Sequence, residues 1–373
     1  MATIPQSVTS PTVDAIYRAY EARREPPRPH LGASVIGRPC SRQLWYSFRW
    51  VYAEQHEGRV LRLFERGQRE EPALAADLRA TGVQLHTVDP RTGKQFEFKV
   101  IGGHVGGSMD GAALGILEAP KAWHVWECKT FSLKAFEKLA KDGVHASKPE
   151  HYTQVQLYMR WSGMDRTFYT GVCKDDDRIH GERIRLDAAH AEQAEAKARR
   201  IVESPTPPAG VSEDPAFYQC KFCPAANVCH RSEGVQVNCR TCVHATPEMD
   251  GDGRWSCARH RKDIGTDEQR KGCAEHRLIP DLILWAKATG ADERENWIEY
   301  TLPDGGKFQN GGAMGWTSAE LVLGPKIAGL VSDPVLASIK SEFDAVAVKA
   351  DGPAWMRPGI GRLRREPESM ACD

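Results

Sequence analysis

The sequence predicts an α/β fold, because helix-like and strand-like patterns alternate along the chain up to Pro208. Helical spacing of apolar residues from Gly58 to Gly82, and again in "LDAAHAEQAEAKARRIVES", predicts two long helices. Between them lie strand-like runs bounded by glycine and proline. After Pro208 the sequence becomes rich in Cys, Gly and Asp up to about residue 277. With 373 residues, the chain can form two domains, or one domain with appendages.

Local patterns predict the individual elements. "SRQLWYSFRW" favours a helix that begins near Ser41. Three runs, "KQFEFKVIGG", "GHVGGSMDGAA" and "AWHVWECKTF", predict an antiparallel meander. In "PEHYTQVQLYMRWSG" a stretch that begins after a proline and ends at a glycine predicts a helix, and "RTFYTGVCK" predicts another strand. Near the C-terminus, "WIEYTLPDGGKFQNG" predicts a hairpin and "DPVLASIKSEFDAV" a helix.

Composition and charge narrow the function classes. Fifty basic and fifty acidic residues cancel, so a DNA-binding surface would have to be local, as in the Arg-rich stretch from Arg18 to Arg49 or the tail "RPGIGRLRR". The sequence has no secretory signal and no membrane-length apolar run, so we expect a cytoplasmic protein whose eleven cysteines stay reduced. A phosphate-binding loop is also absent from the sequence, which argues against an ATP-driven motor.

The strand-like run "WHVWECKTFSL" contains charges where burial would disfavour them. Side chains alternate along a strand, so Glu127 and Lys129 share one face and Cys128 lies on the other. A carboxylate and an ammonium are costly to bury unless each has a partner. A divalent ion would be a partner for Glu127, and Lys129 could then polarise a water or stabilise charge on a phosphate.

Two further acidic positions could join Glu127. Asp110, in "GGSMDGAAL", lies seventeen positions upstream, and a hairpin of that length can bring two carboxylates together. Glu71 in "RGQREEP" is the third candidate, with Glu70 as the alternative. Gly67 lies one helical turn earlier and would allow the helix to approach the sheet closely. Carboxylates combined with water and substrate phosphate are the usual ligands of Mg²⁺.

The order of these residues resembles the PD-(D/E)XK nuclease superfamily. Asp110 followed by Glu127–Lys129 on a strand matches its signature, and Gly67–Glu71 corresponds to its first acidic motif. In the next helix, "QVQLY" places Gln154 and Tyr158 four residues apart on one face. This element is typical of the RecB-like branch, which includes RecB and AddB nuclease domains and the CRISPR adaptation nucleases. Phage exonucleases of the lambda type share the same core.

The resemblance implies a restriction-endonuclease-like core, with a central mixed sheet flanked by helices. It implies that Glu71, Asp110, Glu127 and the backbone carbonyl of Cys128 bind one or two Mg²⁺ or Mn²⁺ ions. These ions would activate a water, which Lys129 would orient, or Lys129 would support the pentacovalent phosphate.

The same resemblance assigns roles to residues around the carboxylates. Gln154 and Tyr158 would position DNA or the water of the site. His104 is a further candidate ligand or base, although a histidine in a Gly-rich loop is more often structural. The methionine before Asp110 departs from the family's usual proline.

The implied activity is that of a metal-dependent DNA nuclease. An exonuclease that digests linear DNA from its ends, in phage or bacterial recombination or repair, is the expectation, with DNA and a single-strand annealing or other recombination protein as partners. Two alternatives stay open: a non-catalytic iron–sulfur and zinc DNA-binding adaptor, and a structure-specific endonuclease. All the acidic residues and the lysine of the nuclease signature are present, which favours an enzyme.

One group of cysteines forms the trio of Cys220, Cys223 and Cys229 in "CKFCPAANVC". Three ligands are one short of a tetrahedral site, and Cys40 in "GRPCSRQLWY" is the candidate fourth. Iron–sulfur members of the nuclease family pair one N-terminal cysteine with three C-terminal ones, so the resemblance implies a [4Fe–4S] cluster. The same thiolates could instead hold zinc, since spacing does not decide between them.

A second group contains four cysteines spaced as in structural zinc sites: Cys239, Cys242, Cys257 and Cys273. His260 and His276 each follow a cysteine by three residues and could replace one thiolate. Basic residues surround this group, namely Arg254, Arg259, Arg261, Lys262, Arg270 and Lys271. They would form either a DNA-contacting surface or a solvated loop stabilised by zinc.

The sequence therefore predicts four segments: a lead-in over residues 1–30, a nuclease domain over 31–236, a zinc-binding module over 237–280 and a small accessory region over 281–373. Cys128, Cys173 and Cys372 have no predicted partner, and the first two lie in apolar strands. Aromatic residues of the accessory region could stack on bases or form the core of a small domain: Trp285, Trp297, Tyr300 and Trp316.

Overall fold

The computed structural model describes residues 10–23, 25–312, 315–336, 338, 346–347 and 363–364. Most of the predicted helix "DPVLASIKSEFDAV", most of the tail "RPGIGRLRR" and all of Cys372 lie outside these residues. In the part of the chain that the structure describes, no helix has the length and apolar character needed to cross a membrane.

The helices and strands follow in chain order. The α-helices are α1 (Pro11–Ala22), α2 (Ala33–Ile36), α3 (Ser41–Phe48), α4 (Gly58–Ala80), α5 (Leu133–Ser147), α6 (Pro149–Ser162), α7 (Ala188–Glu203), α8 (Tyr218–Lys221), α9 (Ala226–Arg231), α10 (Thr266–Gln269), α11 (Ser318–Leu321) and α12 (Ala328–Val331). The strands are β1 (Leu31–Gly32), β2 (Gln84–His86), β3 (Phe96–Val100), β4 (Val105–Met109), β5 (Gly111–Leu114), β6 (His124–Phe131), β7 (Arg166–Cys173), β8 (Ile179–Arg185), β9 (Ala245–Pro247), β10 (Trp255–Cys257), β11 (Lys262–Asp263), β12 (Lys287–Asp292), β13 (Trp297–Thr301), β14 (Lys307–Gly311), β15 (Val346–Ala347) and β16 (Leu363–Arg364).

The chain divides into two compact units. Unit 1 contains residues up to Phe48, Glu54–Ser204 and Pro247–Arg254. Unit 2 contains Arg49–Ala53, Pro205–Thr246 and the residues from Trp255 onward. This division differs from the predicted boundary at residue 236, because the segment from Pro205 groups with the cysteine-rich region.

Unit 1 is built on a five-stranded mixed sheet in the order β2-β5-β6-β7-β8, which confirms the predicted α/β class. Strands β6 and β7 are parallel, and the other neighbouring pairs are antiparallel. Two parallel neighbours need a crossover connection, which α5 and α6 provide. The crossover brings α6 back along the strand that contains Glu127.

The predicted helix ends of unit 1 are confirmed where strong local signals mark them. Helix α3 begins at Ser41, as predicted. Helix α6 has proline in its first turn and ends at Gly163, which adopts a left-handed φ of 75° that L-residues rarely take. Helix α4 ends at Ala80, two residues before Gly82, whose φ is also positive.

The predicted three-strand meander is wrong in its connectivity. Strands β3 and β4 pair with each other and with β1 in a separate small sheet, whereas β5 and β6 pair within the main sheet. The chain changes sheet at Asp110, the single residue between β4 and β5. The carboxylate of Asp110 accepts a hydrogen bond from the backbone N–H of Cys128, which holds this corner against β6.

One apolar core lies between α4 and the main sheet. Its buried members come from the helix, from the strands and from the loops that join them: Leu74, Ala75, Val83, Leu85, Ala113, Ile116, Trp126, Cys128 and Val172. Cys128 is thus a core residue, as predicted, and lies on the opposite face of β6 from Glu127.

Unit 2 contains short elements. Strands β9 to β11 form a small sheet, and β12, β13 and β14 form an antiparallel one that confirms the predicted hairpin. Tyr300 is fully buried and stacks on Phe308, which also stacks on Trp285. The aromatic residues of this region therefore form a core, as in the second of the two interpretations above.

Candidate functional site

The site is built around Glu127 at the middle of β6. Glu127 is 0 % exposed although it is charged in its ordinary state. Its backbone carbonyl accepts a 3.0 Å hydrogen bond from the Thr170 hydroxyl, which in turn accepts one of 3.1 Å from the indole N–H of Trp126. The strand that bears the carboxylate is thereby joined to β7 through both backbone and side chains.

Lys129 lies on the same face as Glu127, as strand alternation predicts. Its Nζ donates a short hydrogen bond to Glu127 Oε1 and another, of 3.3 Å, to the carbonyl of Cys128. The same Nζ is 4.0 Å from Asp110 Oδ2. One ammonium group therefore lies beside two carboxylates.

Asp110 reaches the site from the corner between β4 and β5. In the antiparallel β5–β6 pair, Gly111 is opposite Trp126, so the preceding Asp110 lies beside the next residues of β6. Its Oδ2 accepts the 2.8 Å hydrogen bond from Cys128 N. The predicted hairpin does bring Asp110 and Glu127 together.

Helix α6 closes the site over the face that bears Glu127. Gln154 Nε2 donates to Glu127 Oε1 at 2.9 Å and to the Tyr158 hydroxyl at 3.3 Å, as the spacing of "QVQLY" suggests. Gly107 on β4 makes room for Tyr158, because a Cβ at Gly107 would lie 2.7 Å from that hydroxyl.

Helix α4 contributes Glu71 from another side. Glu71 interacts electrostatically with Asp110 and Lys129 and is half-buried. Glu70, the alternative candidate, is also partly buried. Gly67 does face the sheet, but a Cβ there would lie 3.6 Å from Thr130 Oγ1, an ordinary contact. The approach of α4 to β6 therefore does not require glycine.

Concentrated negative charge changes the acidity of these groups. Burial, and next repulsion from Asp110, raise the pKa of Glu127 to about 8, although Lys129 opposes the shift. The same two causes raise the pKa of Glu71 to about 7. Burial alone would lower the pKa of Lys129, but Glu127 and Asp110 outweigh it, so the net shift is upward and the lysine stays charged. The site therefore attracts positive charge.

Two polar atoms of the site lack partners among the described residues. Glu127 Oε2 and the Gln154 side-chain oxygen are buried and take part in no hydrogen bond there. A buried carboxylate oxygen is stable when a donor or a cation completes it, so the donor set fits a hard divalent ion. Within the described chain, however, no three His, Cys, Asp or Glu side chains already converge as an ion-binding group. Ion binding therefore requires side-chain rotations at this site.

Three residues around the site were not predicted. Thr170 holds the Glu127 carbonyl, and Tyr169 and His151 both interact electrostatically with Lys129. His151 Nδ1 is hydrogen-bonded to the Tyr169 hydroxyl at 2.7 Å. His151 precedes Gln154 by three residues, so the helical spacing of α6 could have indicated it.

His104, predicted as a possible ligand or base, has a structural role. It is fully buried and its Nε2 donates a 2.8 Å hydrogen bond to the carbonyl of Glu248. Its ring also packs edge-on against Phe48.

The first cysteine group is distributed over both units. Cys40 precedes α3 in unit 1, where its sulfur accepts a 3.4 Å hydrogen bond from Gln43 N. The trio lies in unit 2, with Cys220 on α8, Cys229 on α9 and Cys223 between the two helices. A four-cysteine cluster that includes Cys40 stays a prediction.

The second cysteine group meets at one cavity in unit 2. Cys239, Cys242, Cys257 and Cys273 all line a space of about 220 Å³. His260 and His276 line it as well. Three of the neighbouring basic side chains are ion-paired, Arg259 with Glu275, Lys262 with Glu268 and Arg270 with Asp267. This local neutralisation favours a solvated loop over a basic DNA-contacting surface.

Comparisons with known proteins give limited similarity. No protein-family model matches the chain, and no curated protein is significantly similar to it in sequence. Among solved structures, the protein SSO0001 overlaps 58% of this chain and 95% of its own, with 14% identity and a TM-score of 0.36. An alkaline exonuclease, LHK-Exo from Laribacter hongkongensis, overlaps 49% of this chain and 90% of its own, with 18% identity and a TM-score of 0.33.

A second structure of LHK-Exo, in complex with dAMP, overlaps 50% of this chain and 89% of its own, with 16% identity and a TM-score of 0.33. At these TM-scores the likeness is partial and assigns neither a family nor an activity.

Proposed function

We propose that this chain is a metal-dependent deoxyribonuclease of the PD-(D/E)XK type. The observation that carries the proposal is the environment of Glu127. Lys129 and Gln154 both bind one of its oxygens, and the other oxygen is buried without a hydrogen bond among the described residues. A buried carboxylate with an unpaired oxygen destabilises the strand that bears it. A purely structural role does not explain why such a group is there.

Glu71, Asp110, Glu127 and the Cys128 carbonyl are the residues that would hold Mg²⁺ or Mn²⁺, since oxygen ligands suit both ions. A bound ion would supply Lewis-acid polarisation of the scissile phosphate. Side chains of the protein would stabilise the developing charge and orient the carboxylate.

Lys129 acts as a charged group in this proposal. Because Glu127 and Asp110 keep its pKa high, it does not serve as a base near neutral pH. Its ammonium instead stabilises the negative charge that develops on the phosphate oxygens. Gln154 holds the orientation of Glu127 through Nε2, and Tyr158 accepts a second, longer bond from the same group.

We further propose that the enzyme digests linear DNA from its ends, in phage or bacterial recombination or repair, beside a single-strand annealing or other recombination protein. The order of Asp110, Glu127–Lys129 and the Gln154–Tyr158 pair supports this through its resemblance to RecB-like and lambda-type nucleases. A structure-specific endonuclease and a non-catalytic DNA-binding adaptor are the competing outcomes of the test.

The test uses full-length protein with end-labelled linear, circular and single-stranded DNA, with and without Mn²⁺. An exonuclease shortens linear DNA and spares covalently closed circles, whereas an endonuclease cuts both. Lys129→Ala should reduce the rate by about 100-fold or more. Failure of the wild-type protein to cleave any substrate with Mn²⁺ would overturn the nuclease proposal. Equal cleavage by Lys129→Ala would overturn the site assignment.

We also propose that Cys40, Cys220, Cys223 and Cys229 hold a [4Fe–4S] cluster, for which four thiolates are the required ligands. Anaerobically purified protein should contain iron and acid-labile sulfide and absorb visible light. Zinc in place of iron, lost on Cys220→Ser, would assign these cysteines to zinc.

A further inference from the structure

Unit 2 brings together four cysteines that are well separated in sequence. Cys239 and Cys242 flank a single 3₁₀ turn, Cys257 ends β10 and Cys273 follows α10. All four line the same cavity of about 220 Å³. Cysteines from three separate segments meet there, so the arrangement is a property of the fold and not of one local motif.

The turn that bears Cys239 and Cys242 is held rigidly. The Asn238 side chain accepts a 2.9 Å hydrogen bond from Arg240 N, and the Thr241 hydroxyl accepts one of 3.2 Å from Asn238 N. Arg240 is fully buried, and its guanidinium lies 3.7 Å from the centre of the Trp50 ring and 4.7 Å from that of Trp255. These contacts hold the backbone of the turn that bears both cysteines.

Two of the sulfur atoms have hydrogen-bonding partners. Cys242 Sγ accepts a 3.4 Å hydrogen bond from the backbone N–H of Arg277. Cys273 Sγ lies 3.5 Å from His260 Nε2, within hydrogen-bonding range for sulfur. Such donors stabilise negative sulfur and orient metal ligands from outside the coordination sphere.

The two histidines of the cavity differ in position. His276 is buried, and its Nε2 lies 2.9 Å from the Asn238 carbonyl and 3.2 Å from the Thr241 hydroxyl, so it supports the turn. His260 is exposed, and its Nε2 lies 3.5 Å from Cys273 Sγ. Neither histidine is needed to reach four ligands, because four cysteines line the cavity; their side chains must rotate to converge on one ion, as at the carboxylate site.

We propose that Cys239, Cys242, Cys257 and Cys273 together bind one structural Zn²⁺, and that His260 acts as an outer partner of Cys273. Zinc prefers four sulfur or nitrogen ligands in a closed tetrahedron, and a Cys-x2-Cys turn with two distant cysteines is a common source of them. The four thiols lose their protons to solvent on binding. The proposal is independent of the nuclease chemistry, since it concerns only unit 2.

The ion would have a clear structural task. Strands β10 and β11 pair through only two residue pairs, and α10 is a single turn. Elements this short do not bury enough apolar surface to be stable alone, so a cross-link between them contributes folding free energy directly.

The primary test is metal analysis of freshly purified full-length protein, together with zinc released by a mercurial reagent. We expect about one zinc ion per chain attributable to this site, released as about four thiols are titrated. The double variant Cys257→Ser/Cys273→Ser should lose this ion. The matched control Cys173→Ala, which alters a buried cysteine of β7, should retain it, as should Cys220→Ser/Cys223→Ser.

A second measurement does not depend on whether the cysteine variants fold. Wild-type protein reconstituted with Co²⁺ should show the visible spectrum of four thiolate ligands. His260→Gln should retain the ion and its spectrum but release zinc to a chelator about tenfold faster, as expected when an outer hydrogen bond is lost.

Several results would overturn the proposal. Wild-type protein that contains no zinc and takes up none on reconstitution would exclude the site. Retention of the full zinc content by the Cys257→Ser/Cys273→Ser variant would assign the ion elsewhere. A changed Co²⁺ spectrum in His260→Gln would make His260 a direct ligand. Zinc content is measured without DNA, so failure here is distinguishable from failure of the nuclease proposal.

Discussion

The carboxylate site of unit 1 and the cysteine cavity of unit 2 differ in the structure that holds their side chains in place. Glu127 and Lys129 project from the centre of a five-stranded sheet, whereas the four cysteines project from turns and from the ends of very short strands. The first site is supported by a core that exists independently of any ion. The second has little surrounding structure, so the zinc ion proposed for it would contribute to folding itself. The contrast shows that a long-stranded sheet supports the first set of side chains, whereas only turns and short strands support the second.

The largest effect is expected at the carboxylate site. Glu71→Gln should reduce DNA cleavage by about 100-fold or more, because it removes one negative charge beside Asp110 and Lys129. Glu70→Gln is the matched control, since it changes the same functional group one position earlier in α4, and should cleave like the wild type. A steady-state rate assay with Mn²⁺ compares the two. Equal loss in both variants would mean that helix α4 contributes only through its total charge.

Removal of ions should change the amide hydrogen-exchange rates of the two regions to different extents. Stripping zinc with a chelator should raise amide exchange between Cys239 and His276 by at least about tenfold, because local opening no longer breaks metal bonds. Amides of β6 and β7 should keep their protection when Mg²⁺ is withheld. Mass spectrometry of peptic peptides measures both in one experiment. An equal increase of exchange in both regions would contradict the expectation that only the cysteine region depends on an ion for its structure.

The stability of the ion-free protein should depend on pH through Glu127 and Glu71. Their folded pKa values, about 8 and about 7, lie above the ordinary value of 4.5, so the folded state binds more protons than the unfolded state between these limits. The free energy of unfolding should therefore fall as pH rises from about 5 through 8, while apparent affinity for Mn²⁺ rises over the same range.

Chemical denaturation at several pH values checks this expectation. Glu127→Gln should flatten the stability curve of the ion-free protein in that window, because its amide does not titrate. A variant curve parallel to that of the wild type would show that Glu127 does not titrate there.

The smallest effect is expected from two glycines that lie near the site. Gly107→Ala should cost about 1–3 kcal/mol and weaken cleavage, because its methyl group would lie 2.7 Å from the Tyr158 hydroxyl. Gly67→Ala is the control: its methyl group meets Thr130 at an ordinary 3.6 Å, and alanine favours a helix by about 0.5–1 kcal/mol. Thermal unfolding of the two variants measures the difference. Destabilisation by Gly67→Ala instead would mean that α4 and β6 are packed more tightly than this distance indicates.

Sequence patterns predicted the elements whose signals are local. The start of α3 at Ser41, the end of α6 at Gly163 and strand β7 depend on residues within a few positions of each element. The change of sheet at Asp110 was not predicted, because it depends on the pairing of β4 with β1, which is distant in sequence. Which strands pair depends on residues far apart in the sequence, and a pattern of a few neighbouring residues does not contain them.

The same division applies to the site. Strand alternation and helical spacing were enough to group Glu127 with Lys129, and Gln154 with Tyr158. Thr170 was missed because its contact with Glu127 arises only from the parallel register of β6 and β7. A threonine in the middle of a strand has no feature that distinguishes it from many others. The zinc site stays a prediction: cysteine spacing grouped Cys239, Cys242, Cys257 and Cys273, and the structure places all four along one cavity.

The crossover through α5 and α6 has a consequence for how this domain tolerates insertions. Gln154 meets Glu127 because α6 presents a particular side of its cylinder to β6. One residue added within α6 ahead of Gln154 would turn that side away by about 100°. A residue added at Lys148, between the two helices, would lengthen a connection and leave the rotational phase of α6 to its own packing. An insertion before α6 should therefore be tolerated better than an insertion within it, because only the second rotates Gln154 away from Glu127.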